Sequence, residues 1–185
     1  LEPEILRKEI EKSLNINIDG EILIPFFQAG GRYTIENIHY VKYGDELVPA
    51  SETEFAKDKT FAYNHSDLRL YIEEKTQGKI KKEEVVSVEL NELREEKLSI
   101  IEEKLDSLSN YGKAIVNAIE PKDLQIFTIA LYKVIEQGKT FLFRTAADFV
   151  KVVGGIPDKN LLRKKDMLQK NSSKGGIVVI GSHTA

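Results

Sequence analysis

The 185-residue chain is 41% hydrophobic and 31% charged, a globular composition with enough apolar residues for one core. Its net charge of −3 gives no support to a nucleic-acid or anionic-membrane footprint, and no apolar run approaches the roughly 18 residues of a membrane span. Without cysteine there is no disulfide, thiolate zinc site or cysteine nucleophile, and His39, His65 and His183 show no metal-ligand spacing.

A helical pattern begins at once, with Leu6, Ile10 and Leu14 at helical steps and an end near Asn15. Residues 22–27 form a nearly continuous apolar run, the mark of a strand covered on both faces. Ile38–Tyr43 and Glu46–Pro49, joined by Gly44-Asp45, predict an inserted β-hairpin. A polar, irregular stretch follows from 51 to 65. Within it, residues 53–58 mix both charges with Phe55, as a salt-bridged surface or a ligand loop would. A helix is predicted from Ser66 or Asp67 to about Gln77, closed by Gly78, with His65 at its start read as a structural or capping residue.

Residues 85–90 predict the second parallel strand. Leu98, Ile101, Leu105 and Leu108 predict an amphipathic helix after an N-cap at Asn91. Residues 114–119 predict the third strand, with Asn117 a satisfied amide inside it. Leu124, Phe127, Leu131 and Val134 predict a helix with Pro121 in its first turn and Gly138 at its stop. Residues 140–143 predict a fourth strand. Residues 159–174 carry a basic run, read as a solvated helix and linker or as a phosphate-steering patch. Residues 177–180 predict a last strand, and Gly181-Ser182-His183-Thr184 the polar turn after it. Strands alternating with helices imply a layered α/β domain with a mainly parallel sheet flanked by helices. Because the pattern opens inside a helix at Leu1 and closes on a turn at Ala185, we expect a fragment of a two-domain protein.

Ligands of open parallel sheets bind beyond the carboxyl ends of the strands. The first strand runs into Gln28-Ala29-Gly30-Gly31-Arg32-Tyr33-Thr34. The two glycines permit a tight turn and Arg32 offers a forked donor for a carboxylate or phosphate; a plain turn with an exposed arginine is the alternative. The fourth strand runs into Arg144-Thr145-Ala146-Ala147-Asp148-Phe149. Thr145 reads as an N-cap and Asp148, three residues on, as its capping-box partner, which would leave helical amides facing an anion. Arg144 adds a second guanidinium; the competing reading is a capped helix with Arg144 paired to an acid. Gly181-Ser182 would present an amide and a hydroxyl to phosphate, or form an ordinary turn.

Several of these segments, taken in order, resemble the four-carbon acid sugar kinase family, long catalogued as a domain of unknown function. They are Gly30-Gly31-Arg32-Tyr33-Thr34, His39-Tyr40-Val41, residues 52–61 (ETEFAKDKTF), Glu73-Glu74-Lys75-Thr76, residues 144–151 (RTAADFVK) and residues 175–184 (GGIVVIGSHT). In that family an N-terminal α/β domain holds the acid sugar and a C-terminal domain holds ATP. The resemblance implies that residues 1–180 are the later part of the sugar-binding domain, with the inserted hairpin and loop at about 33–65. Residues 181–185 would start the junction to a nucleotide-binding domain.

The family's aspartate-rich motif and its glycine-rich nucleotide loops have no counterpart in this sequence, so the catalytic base is expected before Leu1 and this piece is expected to be inactive alone. The resemblance implies a parent that phosphorylates a hydroxyl of a small sugar acid, using ATP and Mg²⁺. Gly31, Arg32, Lys57, Arg144, Thr145 and Lys151 are the candidate substrate-binding residues, and Ser182 the candidate nucleotide contact. The rival readings are a non-catalytic small-anion-binding or regulatory α/β module and a scaffold domain. The expected partner is the small sugar acid, with neither nucleic acid nor membrane, in a cytoplasmic setting. Association with a second copy through a bare strand edge is also expected.

Overall fold

The computed structural model describes residues 2–58 and 62–167; the expected strand at 177–180, the junction at 181–185 and Ser182 lie outside them. In chain order the elements are α1 (Glu2–Leu14), β1 (Gly20–Ile24), β2 (Arg32–Ile35), β3 (Ile38–Tyr43), β4 (Glu46–Pro49), α2 (Leu68–Lys75) and β5 (Val86–Val88). Then follow α3 (Leu90–Arg94), α4 (Leu98–Asp106), β6 (Gly112–Val116), α5 (Pro121–Glu136), β7 (Phe141–Thr145), α6 (Ala147–Val153) and α7 (Lys164–Met167).

Four strands form a parallel sheet in the order β5-β6-β1-β7. Side chains alternate across it. On one face Ile22, Ile24, Ala114, Val116 and Val88 pack against Leu93, Ile101, Leu105, Leu124, Phe127 and Leu131 from α3, α4 and α5. On the other, Leu23 and Ile115 meet Leu68 and Ile72 of α2. Coverage of both faces is why the strands read as unbroken apolar runs rather than alternating ones.

β2, β3 and β4 form a separate antiparallel sheet. The hairpin falls where the sequence puts it, with Gly44 at φ +59° in its turn. A third strand, β2, joins it, because Phe27 and Arg32 bridge antiparallel and return the chain at once. Two features fix this small sheet over the carboxyl end of the large one. Thr34 and Ala118 exchange backbone hydrogen bonds of 3.0 and 3.1 Å just past the end of β6. The wholly buried Asn117 accepts from the Asn37 backbone N–H at 2.7 Å and donates to the Asn37 side chain at 3.1 Å and to the Val88 carbonyl at 3.0 Å. Asn117 is thus a satisfied amide, as its place among apolar neighbours requires.

The ends of several elements depart from the sequence expectations by a few residues, and two departures change a reading. The helix expected to follow Asn91 is two helices, broken where Glu96 takes φ +52°. Asn91 lies inside α3, whose start is held by the Glu92 carboxylate accepting from the Glu89 N–H at 2.8 Å. The second correction bears on function. β7 continues to Thr145, paired opposite Ile24, and the Ala146 N–H donates to the Ile24 carbonyl at 3.1 Å. Thr145 is therefore the last strand residue and not an N-cap. α6 starts from Ala146 without a side-chain cap, and the Asp148 carboxylate instead accepts from the Gln28 N–H at 2.7 Å. The expected capping box is a tie between α6 and the turn after β1. α6 has only seven residues, so the case for an anion there rests on side chains.

Candidate functional site

The placement of the small sheet over the carboxyl ends of β1 and β6 brings β2 toward the end of β7. A cleft of about 410 Å³ opens there, walled by Leu23 of β1, Pro25 and Phe27 beyond it, Arg32 and His39 from the small sheet, Tyr63, His65 and Ser66 before α2, Tyr71 on α2, and Arg144 and Thr145 at the end of β7. Arg32, far in sequence from Arg144 and Thr145, thus shares one cleft with them.

Each arginine is oriented by an aromatic ring. The Arg32 guanidinium lies 4.5 Å from the Phe55 ring centre and donates from Nη1 to the Gly30 carbonyl at 3.0 Å. The Arg144 guanidinium lies 5.5 Å from the centre of Tyr71, which packs edge-on against Tyr63 at 5.8 Å. Neither arginine forms an ion pair among the described residues, and no Asp or Glu is among the residues lining the cleft. Stacking on a ring fixes a guanidinium while leaving its forked donors open.

The glycine pair shapes this wall. A Cβ on Gly30 would come within 2.4 Å of the Phe27 ring, so only glycine lets Phe27 lie against the turn. Gly31 takes φ +64°, and its backbone is spent on the turn: its N–H donates to the Gln28 carbonyl and its carbonyl accepts from Lys42. Gly31 therefore positions Arg32. Lys57 is exposed beside the small sheet, and Lys151 on α6 pairs with Asp158; neither lines the cleft.

Sequence reasoning passed over His39, His65, Tyr63 and Tyr71 as cleft residues. For His39 a signal existed: the register of β2 on β3 pairs Thr34 with His39 and Arg32 with Val41, so all four share one face of the small sheet. Burial first and the nearby Arg32 charge second lower the His39 pKa from 6.5 to about 4, against a smaller opposing effect of a hydrogen bond to the Tyr33 backbone. The imidazole is neutral at physiological pH.

A second, more open hollow of about 600 Å³ is lined by His65, Glu73, Glu74, Lys82 and Glu83. Its acids are engaged in structure. Glu73 accepts from Lys81 Nζ at 3.1 Å and the Lys82 N–H at 3.0 Å, and Glu74 from the Asn64 N–H at 3.0 Å. Among the described residues no group of three or more His, Asp or Glu converges to hold a metal ion.

The model of the sugar-binding N-terminal domain family matches residues 1–153. The chain belongs to this family. That description agrees with the motif resemblance to the four-carbon acid sugar kinase family. A Haemophilus influenzae DUF1537 protein shares the fold with a TM-score of 0.54 at 18% identity, over 80% of this chain and 32% of its own. A Salmonella typhimurium LT2 protein does so at 0.51 and 12% identity, over 79% and 31%. A Bordetella bronchiseptica DUF1537 protein, solved with bound citrate as a domain-swapped dimer, gives 0.48 at 18% identity, over 77% and 31%. The chain spans about a third of the length of these relatives. No curated protein matches the sequence. No helix among the described residues is long and apolar enough to cross a membrane.

Proposed function

We propose that this sugar-binding domain holds a small sugar acid by its carboxylate between Arg32 and Arg144, as the substrate-binding part of an ATP-dependent kinase for four-carbon acid sugars. The observation that carries this reading is that two guanidiniums, neither in an ion pair among the described residues, line one cleft of about 410 Å³. Clefts from about 300 Å³ upward suit small ligands. Two forked cations attract a carboxylate and can bind it bidentately. The rings of Tyr63 and Tyr71 offer an apolar wall for the carbon chain, and the Thr145 hydroxyl a polar contact. Lys57 and Lys151, outside the cleft, would add only long-range charge.

Phosphoryl transfer relies on alignment and charge neutralisation more than on covalent chemistry from the protein. In this reading the domain supplies the alignment. ATP, Mg²⁺ and the catalytic base belong to parts of the intact protein beyond these residues, with Ser182 a nucleotide contact. A cleft lined by arginine and histidine without a carboxylate equally suits a second reading, an anion-binding module that performs no transfer. The two part in one experiment, in which the intact protein is given ATP and a panel of four-carbon sugar acids. Phosphorylation of at least one acid is expected, with the 185-residue chain binding that acid but transferring no phosphate. Binding without transfer by the intact protein would favour the second reading, and no binding at all would end both.

A further inference from the structure

His39 differs from the two arginines of the cleft in both charge and attachment. His39 stands on β3 directly opposite Thr34, on the same face of the small sheet as Arg32. Thr34 is wholly buried, and its hydroxyl meets His39 Nδ1 at 3.2 Å. The ring is therefore held from behind, with one nitrogen committed to the sheet. Besides Thr34, the ring's hydrogen-bonding neighbour is the Tyr33 backbone, so no other side chain among the described residues occupies Nε2. Buried side-chain polar atoms without a partner are confined there to Arg7 Nε, and the space His39 lines is the cleft. The backbone around it is equally fixed, since the His39 N–H donates to the Ser66 carbonyl at 2.8 Å.

The chemistry of that nitrogen differs from that of the arginines. Guanidinium groups are donors only and select anions. A neutral imidazole has one donor and one acceptor nitrogen, and which of them faces the cleft depends on the hydrogen shared with Thr34. A ligand hydroxyl, donor and acceptor at once, complements either tautomer. A carboxylate complements only one of them and gains no ion pair. Burial and the neighbouring Arg32 charge both keep the ring neutral, as its lowered pKa of about 4 reflects.

We infer that the cleft sorts two functional groups of one ligand: Arg32 and Arg144 take the carboxylate, and His39 Nε2 takes a hydroxyl on the carbon chain. The inference rests on the sugar-acid reading above and narrows it, since His39 becomes the residue that distinguishes a hydroxy acid from a plain carboxylic acid of the same length. His39 is a binding and positioning residue here, with no part assigned in proton transfer.

The test compares threonate and erythronate with butyrate, which has the same four carbons and carboxylate but no hydroxyl, by calorimetric or NMR titration of the intact protein. The wild type is expected to bind one of the hydroxy acids at least tenfold more tightly than butyrate. His39→Leu should weaken the hydroxy acid about tenfold and leave butyrate within twofold. His39→Gln, whose side-chain amide also both donates and accepts, should recover most of the loss. Equal weakening of both ligands by His39→Leu, without rescue by Gln, would make His39 a structural residue and overturn the inference. Unchanged hydroxy-acid binding in His39→Leu would overturn it too. A wild type that binds no four-carbon acid removes the underlying reading, an outcome visible before any variant is made.

Discussion

At the amino end of the parallel sheet Glu21 and Lys113 sit opposite each other on β1 and β6, 2.7 Å apart; at the carboxyl end Arg32 and Arg144 face one cleft with no acid between them. The amino-end pair is closed. Glu21 also accepts from the Tyr111 hydroxyl at 2.6 Å, and Lys113 Nζ lies 3.3 Å from the centre of the Tyr111 ring, near which the Arg7 guanidinium sits at 4.8 Å. Burial lowers the Lys113 pKa against the opposing pull of Glu21, and burial together with Glu21 raises that of Tyr111. Glu21, Lys113 and Tyr111 answer one another from within the chain. At the other end the charges are answered by aromatic faces, which orient without neutralising. The closed end spends its charges on folding, and the open end leaves them available to a ligand.

The largest effect is expected from breaking the closed end. Lys113→Ala would leave the Glu21 carboxylate buried without its cation, and breaking such a pair costs about 3–5 kcal/mol. Urea denaturation should show that loss while the folded fraction still binds the proposed sugar acid. A loss below about 1 kcal/mol would mean the pair is solvated and the contrast between the two ends is false.

Arg144→Lys tests the open end with the opposite signature. The charge remains but the fork is lost. Losing a charge-assisted contact costs about 1.5–3 kcal/mol, roughly ten- to over a hundredfold in affinity or kcat/KM. Arg144 is exposed, so stability should move by no more than about 0.5 kcal/mol. Early melting with normal binding per folded molecule would make Arg144 structural.

Acid should reveal the burial of His39 at the open end. Its folded pKa of about 4 lies below the ordinary 6.5, so the unfolded chain takes up a proton first as pH falls. The associated stability is present in full above pH 6.5, falls through the window down to about 4, and is smaller by about 2 kcal/mol at pH 5. His39→Gln should lose less stability than the wild type between pH 7 and pH 5. Parallel pH profiles would place the ring in solvent.

The smallest effect belongs to the aromatic support. Tyr71→Leu keeps an apolar contact under α2 but removes the ring face beneath Arg144. Cation–π contacts at accessible sites contribute about 0.5–1 kcal/mol, so affinity should drop roughly two- to fivefold. No change would mean the ligand alone orients Arg144.

The sequence by itself determined the layered α/β class, the hairpin at Ile38–Tyr43 and Glu46–Pro49, the Pro121 start of α5 and the Gly78 and Gly138 stops. Each is written in local chemistry: apolar runs set by two-sided burial, turn glycines and a proline that tolerates the first helical turn. The motifs also pointed to the family, and so to Arg32 and Arg144 as candidates. Local chemistry misled at Thr145, because the capping pattern Thr145–Asp148 is satisfied only if the strand has ended. Pairing with Ile24 keeps the chain extended one residue longer and hands Asp148 to Gln28 instead. Only the tertiary structure decided which residues share the cleft. Its walls come from the turn after β1, the small sheet, the segment before α2, α2 itself and the end of β7, brought together by the Thr34–Ala118 bridge and the buried Asn117. Those are contacts between residues some eighty positions apart, and no spacing along the chain encodes them.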